Sequence, residues 1–174
     1  MDRLGFIHEK FDIKLLILYV LRMLPAPISL EELSGLVLID DGFGYFDFSQ
    51  CLSELVATGH AELSDEGYKI TALGATHGQA AETSIPFSVR NKAEQTSMPT
   101  IARMKREALI GTSHEALRKG GFNVKLSLSD DMGKLMTLTL LTPDETQSAA
   151  MEKRFRADAE KIYQTLLQML TPEK

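Results

Sequence analysis

An α+β chain is predicted here on three observations. Apolar residues recur at helical spacing in a series of short segments before residue 60, two hairpin patterns with glycine turns follow at separate points, and a long helical stripe ends the chain. At 174 residues with 44% hydrophobic content the chain is long and apolar enough to bury a core. Hydropathy patterning divides it into residues 1–84, a stretch of linking helices over 85–110, and residues 111–174.

Asp12 is the expected N-cap of a first helix, Ile13 to Leu24, which is apolar on nearly every side and is therefore expected to lie between layers. Pro25-Ala26-Pro27 ends it, and Ser29-Leu30-Glu31-Glu32 has the form of a capping box opening a second helix to about Ile39. Asp40-Asp41-Gly42-Phe43-Gly44 is turn chemistry. Asp47 is the expected cap of a third helix, with Phe48, Leu52, Leu55 and Val56 as its apolar stripe and Thr58-Gly59 at its end. Ala61 to Ser64 and Tyr68 to Thr71 are strand-like, joined by the tight turn Asp65-Glu66-Gly67.

Thr71 caps a helix of small residues running to about Glu82. Pro86 begins another, which Met98-Pro99 is expected to interrupt before a basic helix around Thr100 to Leu109. Residues 110–117 fit either a capping box at Thr112 and Glu115 or an alternating edge strand, and the strand is the preferred reading. Phe122 to Leu128 and Lys134 to Leu141 form a hairpin about Ser129-Asp130-Asp131-Met132-Gly133. Thr142-Pro143-Asp144-Glu145 opens the last helix, with proline expected at its first position and Phe155, Ala159, Ile162, Leu166 and Leu170 along one face.

Pro27-Ile28-Ser29-Leu30-Glu31-Glu32-Leu33, the third helix, the acidic-glycine turn and Tyr68-Lys69-Ile70-Thr71-Ala72-Leu73-Gly74 together resemble winged-helix regulators. The run from Tyr45 to Leu55, with Ile85-Pro86 and Glu160-Lys161-Ile162-Tyr163, is similar to an uncharacterised bacterial winged-helix family taken to act in transcription. That resemblance implies an N-terminal winged helix-turn-helix over 1–84 and brings no catalytic residues with it.

In such a fold the third helix enters the DNA major groove. Its positions away from the apolar stripe are Ser49, Gln50, Ser53 and Glu54, with Tyr45 at its start; Gln50 has the donor and acceptor pair that reads adenine. Affinity for DNA comes largely from neutralised phosphates, yet no basic side chain lies between Arg22 and Lys69, and the hairpin turn carries Asp65 and Glu66. Residues 1–89 hold five basic against thirteen acidic residues, a balance of −8, while residues 90–174 hold fourteen against eleven, +3. Phosphate contacts are therefore expected from Lys69 and from Arg103, Lys105 and Arg106. An ordinary solvated face, or a protein-docking face, fits the acidic half equally. The expected partners are thus DNA, a second copy of the chain, or another protein.

Other chemistries find no footing. Cys51 is the single cysteine, which leaves no intrachain disulfide and no thiol-rich metal site. His8, His60, His77 and His114 stand at no ligand spacing, so no metal and no cofactor is expected. Asp40-Asp41-Gly42 with Asp47 lacks the alternating acids of a calcium loop. There is no Gly-rich phosphate loop and no nucleophile elbow, and a non-enzymatic protein is expected. The apolar run Leu15 to Leu21 is far short of a bilayer span, and the charged N-terminus does not read as a signal peptide, so a cytoplasmic protein is expected. Apolar surface on the first and last helices together predicts a homodimer.

Overall fold

Burial of one helix on every side organises the first half of the chain. The computed structural model describes residues 6–171. Within it α1 (Lys10–Met23) carries seven consecutive buried residues, Leu15 to Leu21. Around it pack α2 (Leu30–Val37), α3 (Tyr45–Ala57), α4 (Ala72–Ala80), a 3₁₀ turn at Glu82–Ser84 and the second strand of the hairpin β1 (Ala61–Ser64) and β2 (Gly67–Ile70). A helix enclosed by layers needs no polar face, which is why this stretch reads as hydrophobic all round.

Two helix starts before residue 60 differ from expectation. α1 begins at Lys10 with Glu9 at the N-cap, so Asp12 lies in the first turn, where its charge meets the positive end of the helix instead of capping it. α3 begins at Tyr45. Asp47 is its third residue and reaches back to accept the Gly44 N–H at 3.1 Å. Ser29 and Thr71 cap as the sequence suggests, accepting from Glu32 N–H at 3.2 Å and Gly74 N–H at 3.1 Å.

Two local features tie the irregular segments down. The Asp40 carboxylate accepts from the N–H groups of Phe6, Ile7 and Gly42 at 2.9, 3.1 and 2.9 Å, which makes the acidic turn a clasp on the segment leading into α1. Burial works against that charge, but the three backbone donors outweigh it and hold the carboxyl below its ordinary range. The hairpin, in register from Ala61↔Ile70 to Ser64↔Gly67, is bridged on its other side by Ile28, which exchanges hydrogen bonds with Tyr68 at 2.8 and 3.0 Å. Gly67 is required there twice over: its φ is +119°, and a Cβ would stand 2.4 Å from the Ile28 carbonyl oxygen.

α5 (Phe87–Ala108) is one continuous helix and not the interrupted pair expected at Met98-Pro99. Val89, Ala93, Ser97 and Met104 form its buried face while Pro99 is exposed, so the missing N–H falls on the outer side and packing overrides the break. The chain divides into two compact units inside this helix, one through Met104 and one from Lys105.

The second unit is a three-stranded antiparallel sheet, β3 (Ile110–Ala116), β4 (Phe122–Asp130) and β5 (Gly133–Thr142) in that order, with α6 (Glu145–Leu170) on one face. Residues 110–116 are thus a strand, paired from Ile110↔Leu128 to Ala116↔Phe122. α6 is capped by Asp144, whose carboxylate accepts from Gln147 N–H at 2.8 Å, so Pro143 precedes the cap and is not the first helical residue. Val124, Leu126, Leu128, Ile110, Phe155 and Ala159 form the core, with Ile162 and Tyr163 half-buried against it. Of the remaining residues on the expected face Leu166 is half-buried and Leu170 is exposed.

Tyr19 is 4% exposed and its hydroxyl donates to the Glu94 carboxylate. Burial, then that neighbouring carboxylate, push its pKa up from 10.0 to about 12. A raised pKa contributes stability that is complete below the unfolded value and is lost as pH rises through the folded one. The wild-type chain should therefore lose on the order of 2 kcal/mol between about pH 10 and 12 relative to Tyr19→Phe. Urea midpoints of both proteins across that range measure it, and parallel curves would show that Tyr19 does not titrate this way.

Candidate nucleic-acid interface

The geometry of α3 follows from its stripe. Phe48, Cys51, Leu52 and Leu55 are buried against the first core, which turns Gln50 and Ser53 to solvent and leaves Ser49 half-buried. Tyr45 and Phe46 are exposed at the start of the helix, the Tyr45 ring lying 5.9 Å from that of Phe48 at a tilt of 49°. Cys51 is fully enclosed, and burial pushes its thiol up, so it is a core residue without nucleophilic character.

Ser49 and Ser53 share a groove of about 320 Å³ with Leu30 of α2, Val56 of α3 and Leu63 and Tyr68 of the hairpin. Three of the four proposed readers, Tyr45, Gln50 and Ser53, are thus exposed on one helix, and two of the set face the hairpin. Lys69 is exposed on β2, opposite Glu62 in the register.

Cations reach α3 from a place the linear sequence does not suggest. Lys14 and Lys10 of α1 stand 2.7 and 3.6 Å from the Glu54 carboxylate. The hydrogen bond from Lys14, ahead of the other contacts, holds the Glu54 carboxyl below its usual range. The one acid among the outward positions of α3 is therefore neutralised from within the same unit.

The basic stretch of residues 90–119 is largely engaged internally. Arg103 pairs with Glu32 at 2.6 Å within the first unit. In the second, Arg106 donates to both oxygens of Glu160 at 2.7 Å and to the Ala157 carbonyl, and this fork holds the Glu160 carboxyl below its ordinary value. Arg90 stands 3.7 Å from Glu82, and Lys92 donates to the Ile39 carbonyl. Lys105, Arg118 and Lys119 are exposed. Counted by unit, the balance is −6 through Met104, from eight basic and fourteen acidic residues, and +1 from Lys105, from eleven and ten.

Residues 13–170 match the family described as a domain of unknown function, DUF4364. The chain belongs to that family. No curated protein and no solved structure matches it. Membership of DUF4364 thus runs from within the first helix to the end of the last and reaches into both units, and it assigns no chemistry.

The fold also brings together histidines that the sequence separates. His60 Nε2 and His77 Nδ1 of this DUF4364 chain lie 2.8 Å apart, and His114 Nδ1 is 2.7 Å from Glu152, with Glu145 4.0 Å from its other nitrogen. Seventeen residues separate the first pair in sequence, so no short-range spacing signals it. Among the described residues no three His, Cys, Asp or Glu side chains converge as a metal site. Among the same residues no helix is long and apolar enough to cross a membrane.

Lys14→Met removes the closest donor to Glu54. The titration midpoint of the Glu54 side-chain carboxyl carbon, followed by NMR, should rise toward the ordinary glutamate value. An unchanged midpoint would mean that Lys14 is not what neutralises this acid.

Proposed function

We propose that this chain is a homodimeric transcriptional regulator of the winged helix-turn-helix type, reading DNA with α3. The observation that carries the reading is the state of α3. Beyond the exposed Phe46 at its start, α3 offers Tyr45, Gln50 and Ser53, with the half-buried Ser49 beside them, as polar uncharged side chains; its one outward acid is neutralised by Lys14 and Lys10, and the hairpin beside it is stapled in place through Ile28. Such a face meets the edges of bases without presenting bare negative charge to phosphates. On this reading the chain carries out no catalysis and needs no cofactor.

A second copy is supported by the second unit. The apolar face of α1, expected to contribute to a dimer, is covered inside the first unit. In the second unit a groove of about 340 Å³ stays open where Leu138 and Leu140 of β5 meet Met151 and Ile162 of α6. β5 is the end strand of its sheet, and Lys134, at one end, is the single charged side chain along it. Antiparallel pairing of β5 with its copy about a two-fold axis would keep the two lysines apart while joining two three-stranded sheets.

A protein-docking reading rests on a different observation. Tyr45, Phe46 and Leu63 are exposed on α3 and the hairpin, in a unit with a balance of −6 and an acidic turn at Asp65 and Glu66. Selection of genomic fragments by the purified protein, with protein co-purification from the same lysate, separates the two. Retention of no DNA even at about 50 mM salt, where phosphate contacts are strongest, overturns the first reading in favour of the second.

If DNA is retained, Gln50→Ala should cost about 1 to 3 kcal/mol on the best site and little on random sequence, as expected for a lost bidentate base contact. Lys69→Gln and Lys105→Gln should weaken binding to every sequence, each lowering the salt slope by about 0.9. Loss of sequence preference in the lysine variants would reverse these roles. For the dimer, light scattering at tens of micromolar should report twice the chain mass, and a monomer there sinks the two-fold arrangement.

A further inference from the structure

The paired histidines stand at the wall of a cleft that the α3 reading does not use. α1, the end of α3 and α4 leave a cavity of about 430 Å³ between them, within the size range of small-molecule sites. Leu15, Leu18 and Leu55 form its apolar lining, and Phe11, 61% exposed, lies against it. An exposed aromatic ring at the rim of an apolar cleft is surface that an apolar ligand seated there would cover.

The polar wall is a hydrogen-bonded chain with a direction. The Thr58 hydroxyl donates to the Glu54 carbonyl at 2.8 Å, so it accepts from His60 Nδ1 at 2.8 Å. That leaves His60 Nε2 as the acceptor for His77 Nδ1–H, again at 2.8 Å. The tautomers are assigned from this network, and the one ring nitrogen they leave unused is His77 Nε2. A single added proton fits there without breaking any link; a second would set one N–H against another. The pair is thus suited to carry one positive charge and to present one N–H. Lys14 on the same wall is tied to Glu54, together with Lys10, in the ion-pair cluster described above.

We propose that this cleft binds a small amphipathic monocarboxylate, its hydrocarbon part between α1, α3 and α4 and its carboxylate accepting from His77 Nε2–H. A carboxylate suits a wall with one charge and one donor, whereas a phosphate ester needs more of both. A metal ion is a poor occupant, because two of the four imidazole nitrogens are already turned on each other. Leu55 lies in the last turn of α3 and Thr58 is its C-cap, so an occupant touches the helix whose outward side chains carry the DNA reading. Binding itself is independent of that reading; only a regulatory consequence for DNA rests on it.

The test uses the full chain at about pH 6.5, near the ordinary imidazole value. Octanoate and octan-1-ol are titrated separately while NMR follows the rings of His60 and His77 and the methyl groups of Leu15, Leu18 and Leu55. Octanoate should shift all of these saturably and bind at least about tenfold more tightly than the alcohol, as a charge-assisted hydrogen bond requires. His77→Phe keeps an aromatic ring without the donor and should erase that preference while the alcohol still binds. Ala80→Trp, at an exposed position lining the cleft, should block both ligands. Equal affinities for acid and alcohol in the wild-type chain, no saturable shift with either, or undiminished octanoate binding by a folded Ala80→Trp protein would each overturn the proposal. The wild-type comparison needs no variant, and no arm of the test involves DNA.

Discussion

Seven consecutive residues of α1 are withdrawn from water, and nearly every other element of the first unit is placed by the need to cover them. Covering a helix on one side takes a single layer. Covering it all round takes α2, α3, α4, the hairpin and the 3₁₀ turn together. The helices α2, α3 and α4 each bury a side of their own against it, and the side left over is the surface available for function. The outward residues of α3 and the walls of the His60–His77 cleft are two consequences of one packing problem: the first is what α3 turns away from α1, and the second is what α1 and α4 leave open at its end.

Electrostatics refines that frame. The acidic excess of the first unit is real in sum but uneven in space. Glu54 is met by Lys14 and Lys10, Glu32 by Arg103, and Glu82 by Arg22 and Arg90, while Asp40 is satisfied by backbone donors. Partly exposed ion pairs contribute little to stability, so their importance lies in what they remove from the surface. They cancel acids around α3 and withdraw arginines from the basic stretch after residue 90. A count along the chain sees −8 followed by +3; a partner sees the residues that these pairs leave over.

The second unit shows the opposite economy, with too few layers for its apolar surface. α6 lies nearer β3 and β4 than β5, so Val124, Leu126 and Leu128 are buried while Leu138 is half-exposed and Leu140 is exposed. One helix cannot shield the centre and both edges of a three-stranded sheet, and here the edge left open is β5. An end strand with open hydrogen-bonding groups and few charges is a surface that soluble proteins ordinarily cover or blunt.

Much of the secondary structure was legible because it rests on local chemistry. Ser29 and Thr71 cap helices wherever they are followed by helix-forming residues, Gly67 marks the hairpin turn, and alternation at Phe122 to Leu128 reads as a strand in any context. The misreadings share one cause. Pro99 reads as a break in a helix that core packing on the far side holds together, while Asp12 and Asp47 read as caps, and Pro143 as a first helical residue, at positions that neighbouring backbone geometry moved. The candidate site divides in the same way. Which residues α3 turns outward is written in its 3.6-residue period, so Gln50 and Ser53 could be named from the sequence alone. That Lys14 neutralises Glu54, that Arg106 is engaged by Glu160, and that His60 meets His77 depend on contacts between residues 17 to 54 positions apart. Local chemistry determined the elements and their faces; only chain folding decided which charges cancel and which side chains meet, because Coulomb and hydrogen-bond energies depend on distance in space and not along the chain.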